Sequence, residues 1–112
     1  MLVDSHCHLD HLDLSGREGG LNGVIDDAQA RGITHFLSVA VDMTTSRSLI
    51  DLTAQFDNVY SSVGVHPLQK TPQPVPSVEE LVSLAQRPRV MAIGETGLDN
   101  FYSSETIDWQ RQ

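Results

Sequence analysis

A chain of 112 residues is long enough for one ordinary domain, and with 39% apolar and 20% charged residues it falls among globular rather than disordered sequences. No apolar run approaches the ~20 residues of a membrane helix, no basic segment followed by an apolar stretch marks a secretory leader, and the single cysteine, Cys7, cannot form an internal disulfide; these features point to a reducing compartment and a cytoplasmic location. The formal net charge of −8 gives the surface as a whole no attraction for a polyanion, so a nucleic-acid substrate would require metal ions or a local basic patch to offset the repulsion.

In chain order, LVDSH (2–6) predicts a short strand. LNGVIDDAQARG (21–32) follows, with Leu21, Val24, Ile25 and Ala28 at helical spacing and Gly32 as a natural stop. HFLSVAV (35–41) is a nearly continuous apolar run, the pattern of a parallel strand buried on both faces. The next helix, 44–56, carries Leu49, Leu52 and Phe56 on one side, and VYSSVGV (59–65) is the third strand. Pro72, Pro74 and Pro76 make 69–76 a stiff loop that cannot be helical. Ser77, with Glu80 three residues on, predicts a capping box for the helix over 77–86, and Pro88 bars its continuation. VMAIGE (90–95) is the fourth strand, and 103–112 begins another helix. Strand–helix alternation at about 25–30 residues per unit argues for parallel strands joined by crossover helices. A full (β/α)8 barrel takes ~250 residues. Residues 1–112 therefore read as the first half of such a barrel, a truncated part of one domain.

Ionisable residues fall at matching places along this pattern. His6 and His8 end the first strand, His66 in GVHP ends the third, and Glu95 in GETGLD ends the fourth. In a parallel α/β sheet all C-terminal strand ends share one rim, and ligand sites are built there. Residues two apart on a strand share a face, so His6 and His8 point one way and Cys7 the other, as a small packing residue. Neutral imidazoles with a carboxylate suit zinc or manganese, and carboxylate-rich sites admit magnesium. Glu95 has two oxygens and could bridge two metals about 3.5–4 Å apart, an arrangement that serves hydrolysis. There are plainer readings. An isolated H-x-H also occurs as two polar residues of an entry loop, and a histidine before proline also simply hydrogen-bonds its turn; for His66 a substrate contact is favoured over metal ligation. Asp4, in phase with His6, is expected to orient an imidazole or cap an amide, and Asp99 to fix its loop or support the site. His35 reads as structural on the opposite rim, and His11 as a surface residue. Gly94 and Gly97 allow a sharp turn around Glu95, as Gly64 and Pro67 do before and after Val65 and His66.

DSHCHLD, GVHP, and GETGLD ahead of an aromatic pair strongly resemble the TatD family of metal-dependent hydrolases, from Val3 to the last residue. The resemblance implies a (β/α)8 barrel with a divalent metal site, usually dinuclear, at the C-terminal rim, and deoxyribonuclease activity. Carried over, His6 and His8 bind the first metal, Glu95 bridges, and His66 contacts substrate. The family's other ligands, two histidines and an aspartate, come from later strands that lie beyond Gln112, and Asn100 stands where the family often has an aromatic. The expectation is thus a hydrolase that cleaves DNA phosphodiesters by metal-activated water, with magnesium, manganese or zinc, two ions per complete site. It further expects a missing C-terminal half as structural partner and no activity from these residues alone. The alternatives are an amide or ester hydrolase of the same barrel superfamily, or a catalytically inactive fragment.

Overall fold

Alternating apolar strands and amphipathic helices give a parallel α/β sheet, as the sequence pattern predicts. The computed structural model describes residues 1–69, 73–102 and 106–112; Pro72 and the predicted helix start at 103–105 lie outside the described residues. The elements are β1 (Leu2–Cys7), a 3-10 turn (Leu9–His11), α1 (Gly20–Ala30), β2 (Ile33–Ser38), α2 (Met43–Thr53), β3 (Val59–Val63), α3 (Val78–Ala85), β4 (Val90–Ile93) and a short α4 (Ile107–Gln110). The four strands pair in sequence order, every pair parallel. Among the described residues, no helix is long and apolar enough to cross a membrane.

The helix boundaries follow from local chemistry. Gly32, with φ 92°, closes α1 in the left-handed conformation that favours glycine, and its N–H reaches Gln29 O at 2.9 Å. Asp42 opens α2 with a full capping box: its Oδ1 accepts the Thr45 N–H at 2.7 Å, and Thr45 Oγ1 accepts the Asp42 N–H at 3.0 Å. Ser77 caps α3 by accepting the Glu80 N–H at 3.1 Å. The reciprocal half of the predicted box does not form there, because the Glu80 carboxylate is taken by Arg47 of α2.

Three strands stop earlier than their apolar runs. β2 ends at Ser38 rather than Val41, β3 at Val63 and β4 at Ile93. The residues beyond leave the ladder to build the rim. Nor is β2 buried on both faces. Phe36 and Ser38 are buried while Leu37 is only partly covered, because the described residues of α1 and α2 pack on the Phe36 side of the sheet. On that side Leu9, Ile25, Phe36 and Val59 form the core, with Leu21, Ala28, Leu52 and Phe56 packed against it. On the other side Val3, Leu37, Tyr60 and Met91 line a shallow apolar hollow. His35 lies there too, inside β2 and paired with Val3 rather than on the opposite rim, because β2 starts two residues earlier than its apolar run; its ring stacks on Tyr60 at 6.3 Å between centroids.

Leu2, Val3, Met91 and Ile93 are more than half exposed. Burying a side chain of this size is worth about 1.5–3 kcal/mol, so the four together forgo an amount comparable to the ~5–15 kcal/mol that stabilises a whole domain. The isolated 112-residue chain is therefore expected to bind a hydrophobic dye and to associate as its concentration rises. Dye fluorescence and a sizing column run over a dilution series check this; a dilute monomer that unfolds cooperatively and binds no dye would contradict it.

Candidate metal centre

The site begins with a local irregularity in β1. Asp4 pairs with Phe36 and Cys7 with Ser38, so β1 advances three residues where β2 advances two. Such a bulge re-aims side chains at a strand end. It also breaks the count by twos from Asp4 to His6. Asp4 is not in phase with the His6 imidazole; its Oδ1 accepts the His6 backbone N–H at 3.2 Å. Cys7 turns toward the core, where it packs against the apolar cluster, and its Sγ–H donates to Leu37 O at 3.4 Å. Burial, with smaller contributions from the charges of Asp4 and Asp10, pushes the Cys7 thiol up to about 12.

His8 sits just past the strand. Its Nδ1 lies 2.9 Å from Val39 O, a carbonyl that can only accept. Nδ1 therefore carries a proton, and in the neutral ring Nε2 presents its lone pair. That Nε2 is 3.8 Å from Glu95 Oε1, and His6 Nε2 is 2.9 Å from the same oxygen. One ligand atom from each of His6, His8 and Glu95 lies within 4.8 Å of the others. Tetrahedral zinc with bonds of ~2.0–2.2 Å sets neighbouring ligand atoms roughly 3.4 Å apart. The 2.9 and 3.8 Å separations straddle that spacing. The donor set, two imidazole nitrogens and a carboxylate oxygen, matches zinc or manganese.

Glu95 reaches this point through an uncommon backbone. Its φ is 51°, a conformation that costs a non-glycine residue on the order of 1–2 kcal/mol. The predicted sharp turn is present, with the positive φ carried by Glu95 itself and by Gly97. The turn lies tightly on the end of β3: Gly94 N–H bonds Val63 O at 3.0 Å, and a Cβ on Gly64 would stand 2.2 Å from Gly94 O. Gly64 is the residue that permits this approach.

His66 lies outside the three-atom cluster but on the wall of the same hollow, about 600 Å³ in volume, together with His8, His11, Asp42, Gln69 and Glu95. His11 is exposed, as expected of a surface residue, yet its ring stacks on His8 with centroids 5.1 Å apart and planes 13° apart. The 3-10 turn accounts for this, since residues three apart eclipse one another there. The i, i+3 spacing of His8 and His11 was the available sequence signal. Asp42 and Gln69 carried no such signal. Asp99 fixes its loop: Oδ1 accepts the amides of Phe101 and Tyr102 at 2.8 and 3.1 Å.

A family model described as TatD related DNase matches residues 3–112. The chain belongs to this family. It is 44% identical over 106 residues to the "Uncharacterized metal-dependent hydrolase YcfH" of Escherichia coli K12, covering 94% of this chain and 39% of that protein. It is 32% identical over 102 residues to the "Uncharacterized metal-dependent hydrolase TatD" of Mycobacterium tuberculosis H37Rv, covering 90% of this chain and 38% of that one. The crystal structure of YJJV, a TatD homologue from E. coli K12, superposes with a TM-score of 0.78 at 26% identity, over 98% of this chain and 42% of that one. This TatD-family chain thus spans about two fifths of the length of the relatives it matches, and its sheet of parallel strands in sequence order is consistent with part of a (β/α)8 barrel.

The position of Cys7 beside the site gives a pH-dependent prediction. In the unfolded chain the thiol ionises near its ordinary 9.0, whereas the folded chain holds the proton to about 12. Between those values the unfolded state binds fewer protons, so stability falls as pH rises through this window and is unaffected below it. Native protein should react slowly with iodoacetamide at pH 8 and quickly in urea, and Cys7→Ser should remove part of the alkaline loss of stability. Equal alkylation rates for folded and unfolded protein would show that the thiol is not protected.

Proposed function

We propose that this chain is the N-terminal portion of a TatD-type barrel, that it provides His6, His8 and Glu95 as metal ligands, and that the complete protein is a cytoplasmic metal-dependent deoxyribonuclease. One observation carries the reading. His6 lies on β1, His8 just past it and Glu95 at the exit of β4, and β1 and β4 are the two outer strands of the sheet. Three strand spacings of ~4.8 Å would separate these strands by about 14 Å in a flat sheet. Their side chains nevertheless meet at 2.9 Å. Residues at and beyond the strand ends therefore bridge that width, and what they gather at the rim is two imidazoles and a carboxylate.

A divalent ion (magnesium, manganese or zinc) supplies Lewis acidity and an activated water when bound. The chain's own residues prepare for it. Val39 O orients the His8 ring, and the strained Glu95 backbone aims the carboxylate back across the sheet. Glu95 Oε1 faces both imidazoles, so Glu95 would hold an ion together with His6 and His8, and its carboxylate would have a second oxygen to offer a further one. His66, on the wall of the hollow, contacts the substrate. A cation held at this site would offset locally the net charge of −8 that a polyanion meets on this chain. The remaining ligands and the rest of the substrate cleft belong to the C-terminal half of the barrel.

In the full-length protein, alanine at His6, His8 or Glu95 should each lower turnover on end-labelled DNA by at least ~10²-fold, the scale of losing one directed electrostatic contact. Near-normal activity of the His6→Ala, His8→Ala double mutant in metal-controlled buffer would refute the assignment. The 112-residue chain alone should show no cleavage above a metal-only blank in a single-turnover assay with magnesium, manganese or zinc. Rates equal to those of the full-length protein would place the whole site within these residues. Cleavage of an amide or ester substrate in place of DNA would select the other hydrolase chemistry.

A further inference from the structure

We propose that Gln69 is a positioning residue which, with the Leu68 amide, holds His66 as a fixed Nε2–H donor, so that this imidazole binds an anionic oxygen of the substrate and takes no part in holding metal. The inference rests on the hydrolase reading above and assigns a chemistry to one wall of its site.

The ring of His66 is read from its partner. Its Nδ1 lies 3.0 Å from the Leu68 backbone N–H. An amide N–H can only donate, so Nδ1 must present its lone pair, and a neutral ring then carries its proton on Nε2. No described residue gives that Nε2 a hydrogen-bond partner, and the ring lies on the hollow shared with His8 and Glu95. His8 is set the opposite way, with Nδ1 protonated against Val39 O and the Nε2 lone pair free. Two imidazoles on one hollow thus offer opposite functions, a lone pair for a cation and a proton for an oxygen. For His66 to ligate metal through Nε2, its proton would have to move to Nδ1, where it would meet the Leu68 N–H head-on and leave that amide without an acceptor.

Gln69 holds the Leu68 amide in place. Its Nε2 donates to Val41 O and to His66 O, both at 2.9 Å, and Val41 O also accepts the His66 N–H at 2.8 Å. The two bonds to Val41 O tie the turn His66–Gln69 to the segment beyond β2, the third closes the turn on itself, and Pro67 restricts its backbone. Both Gln69 partners are carbonyl oxygens, so position 69 needs a side-chain donor. A carboxylate would be repelled by both, and an apolar side chain would lose both. The ligand that fits an N–H facing a metal-binding cluster is an anionic oxygen, on a phosphoryl or a carboxylate group.

The test uses full-length protein labelled with 15N-histidine, and long-range proton–nitrogen spectra recorded above the imidazole titration range. The expected result is a proton on Nε2 of His66 and on Nδ1 of His8. Zinc should then perturb the ring nitrogens of His6 and His8 and leave the His66 Nε2 proton in place. A bare Nε2 on His66, or its loss of that proton when zinc is added, would overturn the inference. If zinc leaves His6 and His8 unperturbed, the metal-centre reading fails, while the His66 tautomer still decides this one. Inorganic phosphate, with acetate in a parallel arm, should shift the His66 Nε2–H signal; no shift from either anion would count against the donor role. Gln69→Leu should weaken phosphate binding roughly tenfold, the scale of one hydrogen bond to an anion, and mix the His66 tautomers. Should that variant fold poorly, His66→Gln provides the second readout: zinc affinity unchanged and phosphate affinity lowered. A loss of zinc affinity in His66→Gln would make His66 a ligand and defeat the proposal.

Discussion

Two backbone carbonyls just beyond β2 hold the rim together. Val39 O accepts from the His8 ring, and Val41 O accepts from the His66 amide and from Gln69. The next residue, Asp42, caps α2, and its own carbonyl takes the Ser46 hydroxyl at 2.7 Å. Residues 39–42 are therefore a hub that grips the histidine of the preceding strand and the histidine of the following one. The hub exists only because β2 leaves its ladder at Ser38. A carbonyl engaged in a strand ladder has less capacity to orient an imidazole. The site is thus obtained by shortening a strand whose apolar composition would have let it run on.

Shortening the strands leaves backbone amides without ladder partners, and buried serines meet them. Ser38 Oγ accepts the Leu9 amide, Ser62 Oγ accepts Ala40, and Ser46 Oγ accepts Gly64, at 3.1 to 3.2 Å. An unpaired buried amide costs about 1–3 kcal/mol. A small hydroxyl at each of these places satisfies an amide where a larger side chain would not fit between strand ends. The same crowding explains Gly64, whose missing Cβ leaves room for the Gly94 carbonyl. Next to this close contact, Glu95 carries the left-handed backbone. Strain of this kind persists where the surroundings over-determine it, and here it aims the carboxylate at His6 and His8.

The one-sided packing of the sheet belongs to the same design. Helices cover the Phe36–Val59 face, and the opposite face leaves Val3 and Met91 in solvent. A parallel sheet with helices on one face and apolar side chains on the other has the form of a barrel wall. The meeting of His6 with Glu95 takes place at the rim of that wall.

The elements, their parallel order and the rim that carries His6, His8, His66 and Glu95 were legible in the sequence. Helical and strand periodicities are local, and the C-terminal ends of parallel strands must share a side. The motifs DSHCHLD, GVHP and GETGLD likewise mark the family by sequence alone. Other features were decided only in three dimensions. The β1 bulge that removes Asp4 from the phase of His6 depends on pairing with β2. Glu80 left its capping box for an arginine on another helix. The early end of β2 is invisible in a run of valine and alanine, because a residue's apolarity does not tell whether its carbonyl joins a ladder or a side chain. The tautomers of His8 and His66 were equally hidden. A histidine's sequence position states that a ring is present, but which nitrogen bears the proton is set by a partner contact: for His8 a carbonyl 31 residues away, for His66 an amide whose place depends on how the turn is tied to β2.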